Sequence, residues 1–292
     1  MFLALALASA LFYGAADFIG GLTSKRADTI AIVVLSQFAG LVLLALMLPL
    51  VPDAAPVRSD YLWGAAAGMT GGTGVGLLYY ALSVGTMSVV APITAVCAFA
   101  IPVVVAIALG ERPEVLAVLG IVLAIIAIVL VSQVDRSERS DRAGRPDRSG
   151  RPDRSDRSVG LALVSGVAVG AFFLCLAQPS RNSGIWPLLV ARLVSVPFFG
   201  AVAVVGRRSL RMPIRTGATA VAGGGLDMLA NLFYLIATRY GPLSLVVTVS
   251  SLYPASTLLL ARVTLGERLT RSQAMGIVCA MIAIGLIVGS TS

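Results

Sequence analysis

Histidine is absent from the 292 residues, lysine occurs once (Lys25), and charged residues of all kinds make up only 12% of the chain. A soluble domain carries about 25% charge, so this chain has too little polar surface to be a water-exposed globule of its size. The missing imidazole removes the commonest general base and transition-metal ligand. The three cysteines, Cys97, Cys175 and Cys279, each lie inside an apolar run with no ligand spacing between them, which argues against a disulfide framework or a metal site. No Gly-x-x-x-x-Gly-Lys-Ser/Thr segment occurs, so phosphate cradling and ATP hydrolysis have no support. A membrane-embedded enzyme would need a nucleophile–base or metal constellation, and the sequence offers none. No catalytic residue, metal ligand or cofactor is assigned.

What the chain has is hydrophobic length. Hydrophobic residues make up 58% of it, and they fall into runs of the roughly 20 residues that a spanning helix requires. Hydropathy predicts an all-α membrane protein with ten helices near 2–23, 29–50, 61–82, 88–109, 113–133, 159–179, 186–205, 217–238, 243–264 and 270–289. Short polar turns separate them, among them Gly110-Glu111-Arg112-Pro113 and Gly266-Glu267-Arg268, so consecutive helices run antiparallel. The net charge of +8 sits at helix ends and in one loop, where lipid headgroups and topology account for it better than nucleic acid does. Met1 to Thr23 lacks the charged leading segment of a signal peptide and reads as the first span.

Residues 135–158 form the one long break, an Arg-Pro-Asp-Arg-Ser-rich stretch with eight arginines against six acids. So polar a segment cannot offset its ordering entropy and is expected to be a disordered linker. It divides a first five-helix unit (1–134) from a second (159–292). The two repeat one another: Ser88-Val89-Val90 and Gly110-Glu111-Arg112 align with Ser244-Leu245-Val246 and Gly266-Glu267-Arg268 at an offset of 156 residues, and Gly14-Ala15 falls on Gly170-Ala171. Tyr80 and Tyr234 correspond within two residues. Because five is odd, the second unit enters the membrane opposite to the first. Inverted repeats are a recurrent architecture of secondary transporters, with the site near the midplane between halves.

The duplicated unit, the Gly-Glu-Arg ending of each fourth helix, Tyr80-Ala81-Leu82 and Leu252-Tyr253-Pro254 together resemble the drug/metabolite transporter superfamily, specifically its ten-helix EamA-type members. The resemblance covers all but the linker. It implies a secondary carrier or exporter of small metabolites or drug-like solutes in the cell (plasma) membrane, without fixing the substrate. It also implies cytoplasmic termini. The charge bias points the other way, because the loops after odd-numbered helices, with Arg271 at the edge of the last, hold 16 Lys and Arg against 4 after even-numbered ones, which places the odd loops inside.

Ionisable residues deep in a membrane mark functional sites by default. Asp227 lies mid-way along the eighth helix, with Asn231 one turn on, on the same face. Arg192 in the seventh helix reaches the same level, so an Arg192–Asp227 pair with Asn231 beside it is expected to face the cavity between halves. The plainer reading is a buried pair that merely ties the two helices together. Gln37 is the repeat mate of Arg192 within one residue. Asp17, in the first helix, resembles the cation- and proton-binding carboxylate of the related small multidrug resistance proteins in helix and residue class only. Asp17 and Asp227 are the acids available for proton coupling. Pro92 and Pro102 in the fourth helix and Pro254 in the ninth free backbone carbonyls at depth, and breaks of this kind are tolerated where backbone lines water or a substrate; Thr94, Ser250, Ser251 and Tyr253 lie nearby. Gly68, Gly72 and Gly76 read as close-packing positions, as do Gly285 and Gly289. Tyr79, Tyr80 and Trp63 read as interfacial anchors, and Glu111 and Glu267 as turn and interface residues.

The expected activity is alternating-access transport driven by a gradient, with proton coupling through Asp227 or Asp17. A passive channel or a lipid-handling protein is the alternative. The expected partners are a small-molecule substrate, the lipid bilayer and, as a homodimer, a second copy of the chain; nucleic acid is not among them.

Overall fold

The computed structural model describes residues 1–24, 27–50, 54–84, 87–131, 154–265 and 270–290. Among these residues there are eleven α-helices and no strand: α1 (Phe2–Ser24), α2 (Thr29–Met47), α3 (Arg58–Val84), α4 (Met87–Ala108), α5 (Val115–Val131), α6 (Arg154–Ala177), α7 (Trp186–Val205), α8 (Ile214–Tyr240), α9 (Leu243–Ser250), α10 (Tyr253–Leu265) and α11 (Arg271–Gly289).

The helix ends follow local chemistry. The Asp28 carboxylate accepts the Ile30 N–H at 2.9 Å and opens α2. Thr270 and Gln273 exchange side chain–backbone bonds at the start of α11, satisfying two donors that the first turn leaves free. Past Met47, α2 tightens into a 3₁₀ turn, Leu48–Leu50, around Pro49. Gly110 closes α4 at φ 105°, a conformation that side chains with a Cβ rarely adopt.

Two expectations need correction. The ninth predicted helix, 243–264, is α9 and α10, parted at Ser251 and Leu252. Pro254 has no N–H for the Ser250 carbonyl, so the ladder breaks there. Proline does not have that effect in α4, which runs unbroken past Pro92 and Pro102. Secondly, α6 starts at Arg154, inside the expected linker of 135–158; positions 135–153 lie outside the described residues.

Among the described residues, seven stretches are long and apolar enough to cross a membrane, with the α9–α10 stretch counted as one. Helix α5 and the 94–108 part of α4 are shorter apolar helices. Helix α3 is diluted by five glycines between Gly68 and Gly76 and by Arg58 and Asp60 in its first turn. Together these make ten transmembrane helices, arranged as two inverted five-helix repeats.

The repeats do not fold as separate bundles. The most extensive packing joins α1 to α8 and α3 to α6, and each of these pairs takes one helix from each half. Helix α4 on α6 is matched by α1 on α9 and α10, and α3 on α7 by α2 on α8; α5 packs against its own repeat mate α11. The core therefore lies between the halves. Four of its hydrogen bonds form two twin pairs offset by 156 residues. Ser9 Oγ donates to Ala230 O at 2.9 Å and Ser165 Oγ to Gly74 O at 2.8 Å. Thr94 Oγ1 donates to Ala162 O at 3.1 Å and Ser250 Oγ to Ala6 O at 3.4 Å.

Close approach is set by glycines in the same symmetric way. A Cβ at Gly224 on α8 would lie 2.6 Å from Ser36 Cα on α2, and one at Gly68 on α3 would lie 2.9 Å from Ala191 Cα on α7. Gly120 on α5 faces Ile287, and its mate Gly276 on α11 faces Val131. Lipid offers no hydrophobic drive for helix association, so van der Waals contact of this kind carries the packing. Gly72 and Gly76 pack on Phe199, whereas Gly285 has open space beside it; the packing glycine of α11 is Gly276. Trp63 and Tyr80 are exposed, as anchors would be. The Tyr79 side chain and Glu267 lie outside the described residues.

Candidate functional site

A cavity of about 140 Å³ lies between the halves, bounded chiefly by α1, α2, α3, α6, α7 and α8. Its polar groups are held in one chain of contacts. Arg192 on α7 donates through Nη2 to Asp227 Oδ2 on α8 at 2.5 Å, and through Nη1 to Gln37 Oε1 on α2. Ser195, one turn after Arg192, adds a second donor to that oxygen at 3.2 Å. Asn231 Nδ2 donates to Asp227 O at 2.7 Å and to Oδ2 at 3.1 Å. Tyr13 Oη on α1 donates to Asn231 Oδ1 at 2.9 Å.

This arrangement follows from two helix crossings. Gly224 lets α8 lie against α2, and Gly68 lets α3 lie against α7, so the middle parts of α2 and α7 stand side by side. Arg192 and its repeat mate Gln37 are consequently bonded directly to each other. The guanidinium is almost enclosed, with its side chain 11% exposed, whereas the Asp227 side chain is 37% exposed to the cavity. Arg192 Nε has no partner among the described residues.

Asp17 is arranged differently. It lines the cavity one helical turn from Tyr13, is exposed, and has no hydrogen-bond or ion-pair partner among the described residues. Among the described residues the cavity is thus lined by two carboxylates and a single cationic side chain, which is already bound to one of them. Beside them lies an aromatic wall of Tyr13, Phe172, Phe173 and Tyr253. The Tyr13 ring stands 6.0 Å from Phe173 and 6.1 Å from Tyr253.

Residues 1–133 and 157–289 each match the model of the EamA-like transporter family. The chain belongs to that family. A family hit in each half agrees with the duplicated fold, and the break between the hits falls where the sequence turns polar. A solved structure, described only as the crystal structure of a protein, matches with a TM-score of 0.72 at 15% identity, over 99% of this chain and 94% of its own. At that identity it shows the fold alone. No curated protein matches the sequence. As an EamA-like transporter the protein is a membrane protein of the drug/metabolite type.

Of the residues singled out from sequence, Asp227, Arg192, Asn231, Gln37, Asp17, Thr94 and Tyr253 all line the cavity. Ser250 does not; it is buried against α1, with its hydroxyl donated to Ala6 O. Ser251, at the α9–α10 break, is also buried outside the cavity. Tyr13, Ser195, Phe172 and Phe173 were not anticipated. Tyr13 precedes Asp17 by one turn and so shares its helix face, and Ser195 stands in the same relation to Arg192. That spacing is the signal in the sequence that points to both.

Proposed function

We propose that this EamA-like transporter is a secondary carrier that moves a small metabolite or drug-like solute across the cell membrane by alternating access, with the cavity between its halves as the substrate site. The observation that supports this most is a cavity at the repeat interface that holds ionisable groups of both signs beside an aromatic wall. Inverted-repeat carriers place their sites there.

The two carboxylates divide the work. Asp227 is neutralised by Arg192 and steadied by Asn231, so it holds the shape of the site. Asp17 has no such partner among the described residues and is the group that takes up and releases a proton, or exchanges it for a cationic group on the solute. The aromatic wall receives the apolar part.

The test is transport in proteoliposomes under an imposed pH gradient, with candidate solutes chosen by the thermal stabilisation they give the purified protein. Accumulation against a concentration gradient that collapses with the pH gradient is expected. Asp17→Asn removes the pH dependence, and Asp227→Asn impairs transport of every solute. Equilibration that never exceeds the outside concentration would identify a channel instead. Unchanged transport and pH dependence in both variants would remove these carboxylates from the mechanism.

A further inference from the structure

The two faces of the bundle are fastened very differently. On the face carrying the α2–α3, α4–α5, α6–α7 and α8–α9 connections, a network of polar side chains crosses between elements. Asp60, in the first turn of α3, is 1% exposed. Its Oδ1 accepts the Ser180 N–H at 2.7 Å, and its Oδ2 accepts Ser180 Oγ at 2.8 Å and the Val57 N–H at 2.9 Å. Ser180 belongs to the α6–α7 connection, so this carboxylate clamps the first half to the second. The Ala55 N–H adds a bond to Asn182 O at 3.1 Å.

The clamp continues to α8. Ser183, wholly buried, donates to Ser180 O at 2.7 Å and accepts Arg239 Nη2 at 3.0 Å; the same Nη2 also donates to Gly184 O. On the same face Glu111, set by the turn at Gly110, accepts the Leu243 and Ser244 N–H groups at 2.7 and 3.0 Å and so pins the start of α9. Charged partners make such bonds roughly twice as strong as neutral ones.

The opposite face lacks an equivalent among the described residues. There the connections share an Asp28–Arg208 contact at 3.3 Å whose side chains are 31% and 55% exposed, a class of ion pair that contributes little. A hydroxyl pair, Thr23 and Thr219, adds 3.1 Å. At the repeat offset of 156 the positions corresponding to Asp60, Ser180 and Arg239 are Thr216, Ser24 and Ser83, with no charge among them. The cavity follows the same asymmetry. Near this second face Asp17 and Thr219 are exposed, although Ile32 and Ala220 beside them are buried, whereas toward the clamped face Leu188, Phe173 and Asn231 are all buried.

We infer that Asp60, Ser180, Ser183 and Arg239 form the closed gate of this carrier, and that breaking their contacts is what opens the cavity to the clamped face. An inverted repeat makes the two open states related in backbone shape. The two charged side chains of the clamp, Asp60 and Arg239, are not repeated, so the two states differ in energy, and the state closed at the clamped face is favoured. Asp60 and Arg239 act through the gate and touch no substrate; they are positioning residues.

The experiment uses the full chain with Cys97, Cys175 and Cys279 replaced by alanine and Leu188→Cys as a reporter at the cavity floor. Right-side-out and inverted vesicles are treated in turn with a membrane-impermeant thiol reagent. Asn182→Cys, exposed on the clamped face, shows which vesicle type presents that face. In the parent, Leu188→Cys is expected to react slowly from the clamped face. Asp60→Asn is expected to raise that rate by about tenfold, the scale set by losing hydrogen bonds to a charged acceptor. Ser183→Ala is milder and serves if Asp60→Asn does not fold. A folded variant of either kind whose rate from the clamped face stays at the parent value overturns the gate. The labelling needs no substrate, so its outcome is separate from that of the transport assay.

Discussion

Removing the Asp227 carboxylate tests whether the centre of the molecule is a coupled polar unit or a set of independent contacts. Asp227→Asn takes the counter-charge from a guanidinium whose side chain is 11% exposed and whose Nε already has no partner among the described residues. Stranding a fully buried charge costs about 3–5 kcal/mol. Here the Asp227 side chain is 37% exposed, asparagine keeps one acceptor, and Gln37 still holds Nη1, so the expected loss falls to about 1–3 kcal/mol. Arg192→Met makes the converse change. It leaves a carboxylate that cavity water and Asn231 can satisfy, and is expected to cost less than Asp227→Asn. The double variant strands no charge and is expected to be more stable than the sum of the two single losses predicts, with a coupling of about 1–2 kcal/mol. Thermal unfolding of the four proteins in one detergent at one protein concentration measures the cycle. Additive losses would mean that the 2.5 Å contact does not hold the two groups as a pair, and the division of labour between Asp227 and Asp17 would lose its basis.

Other outcomes follow from named contacts. Gly224→Ala forces a methyl group into the α2 backbone at Ser36 and is expected to cost about 1–3 kcal/mol, while Gly285→Ala, with nothing within 4 Å, leaves the unfolding temperature in place; equal effects would refute the packing account. Glu111→Ala frees two N–H groups at the start of α9 and is expected to cost about 1 kcal/mol, largely recovered in Glu111→Asp if the shorter carboxylate still reaches. The charge bias of the loops predicts that a reporter active only in the cytoplasm is silent when fused after Ser292; activity there would instead support the family's habit of cytoplasmic termini.

The spans and their inversion were legible because both rest on long-range regularities, hydropathy over about 20 residues and a repeat at 156, that local irregularity does not erase. The Arg192–Asp227 contact was legible for a similar reason: antiparallel helices of known rise fix depth, and few charges compete for partners at that depth. The gate was not. Asp60 and Arg239 sit at helix ends, where charges are ordinary, and only the fold of the α6–α7 connection brings Ser180 and Ser183 between them. Ser250 and Thr94 show the limit from the other side. They are repeat mates making twin bonds, yet Thr94 lines the cavity and Ser250 does not, because the repeat is inverted and the twins stand at opposite depths. The break after α9 was signalled by Pro254, but the same residue type leaves α4 intact, so proline alone does not decide.

The twin bonds across the core bear on how the protein is made. Ser9 finds its acceptor 221 positions later, at Ala230, and α1 has its largest partner in α8. The first five helices therefore leave the ribosome with their mating surfaces bare, and at about 5–20 residues per second the second five need on the order of ten to thirty seconds to arrive. During that interval another first half is no substitute for the missing mate, because it lies in the membrane in the same orientation and the pairing requires an inverted unit. The odd helix count thus keeps nascent neighbours from pairing through these surfaces, and a first half can be completed only by a unit inserted the other way up.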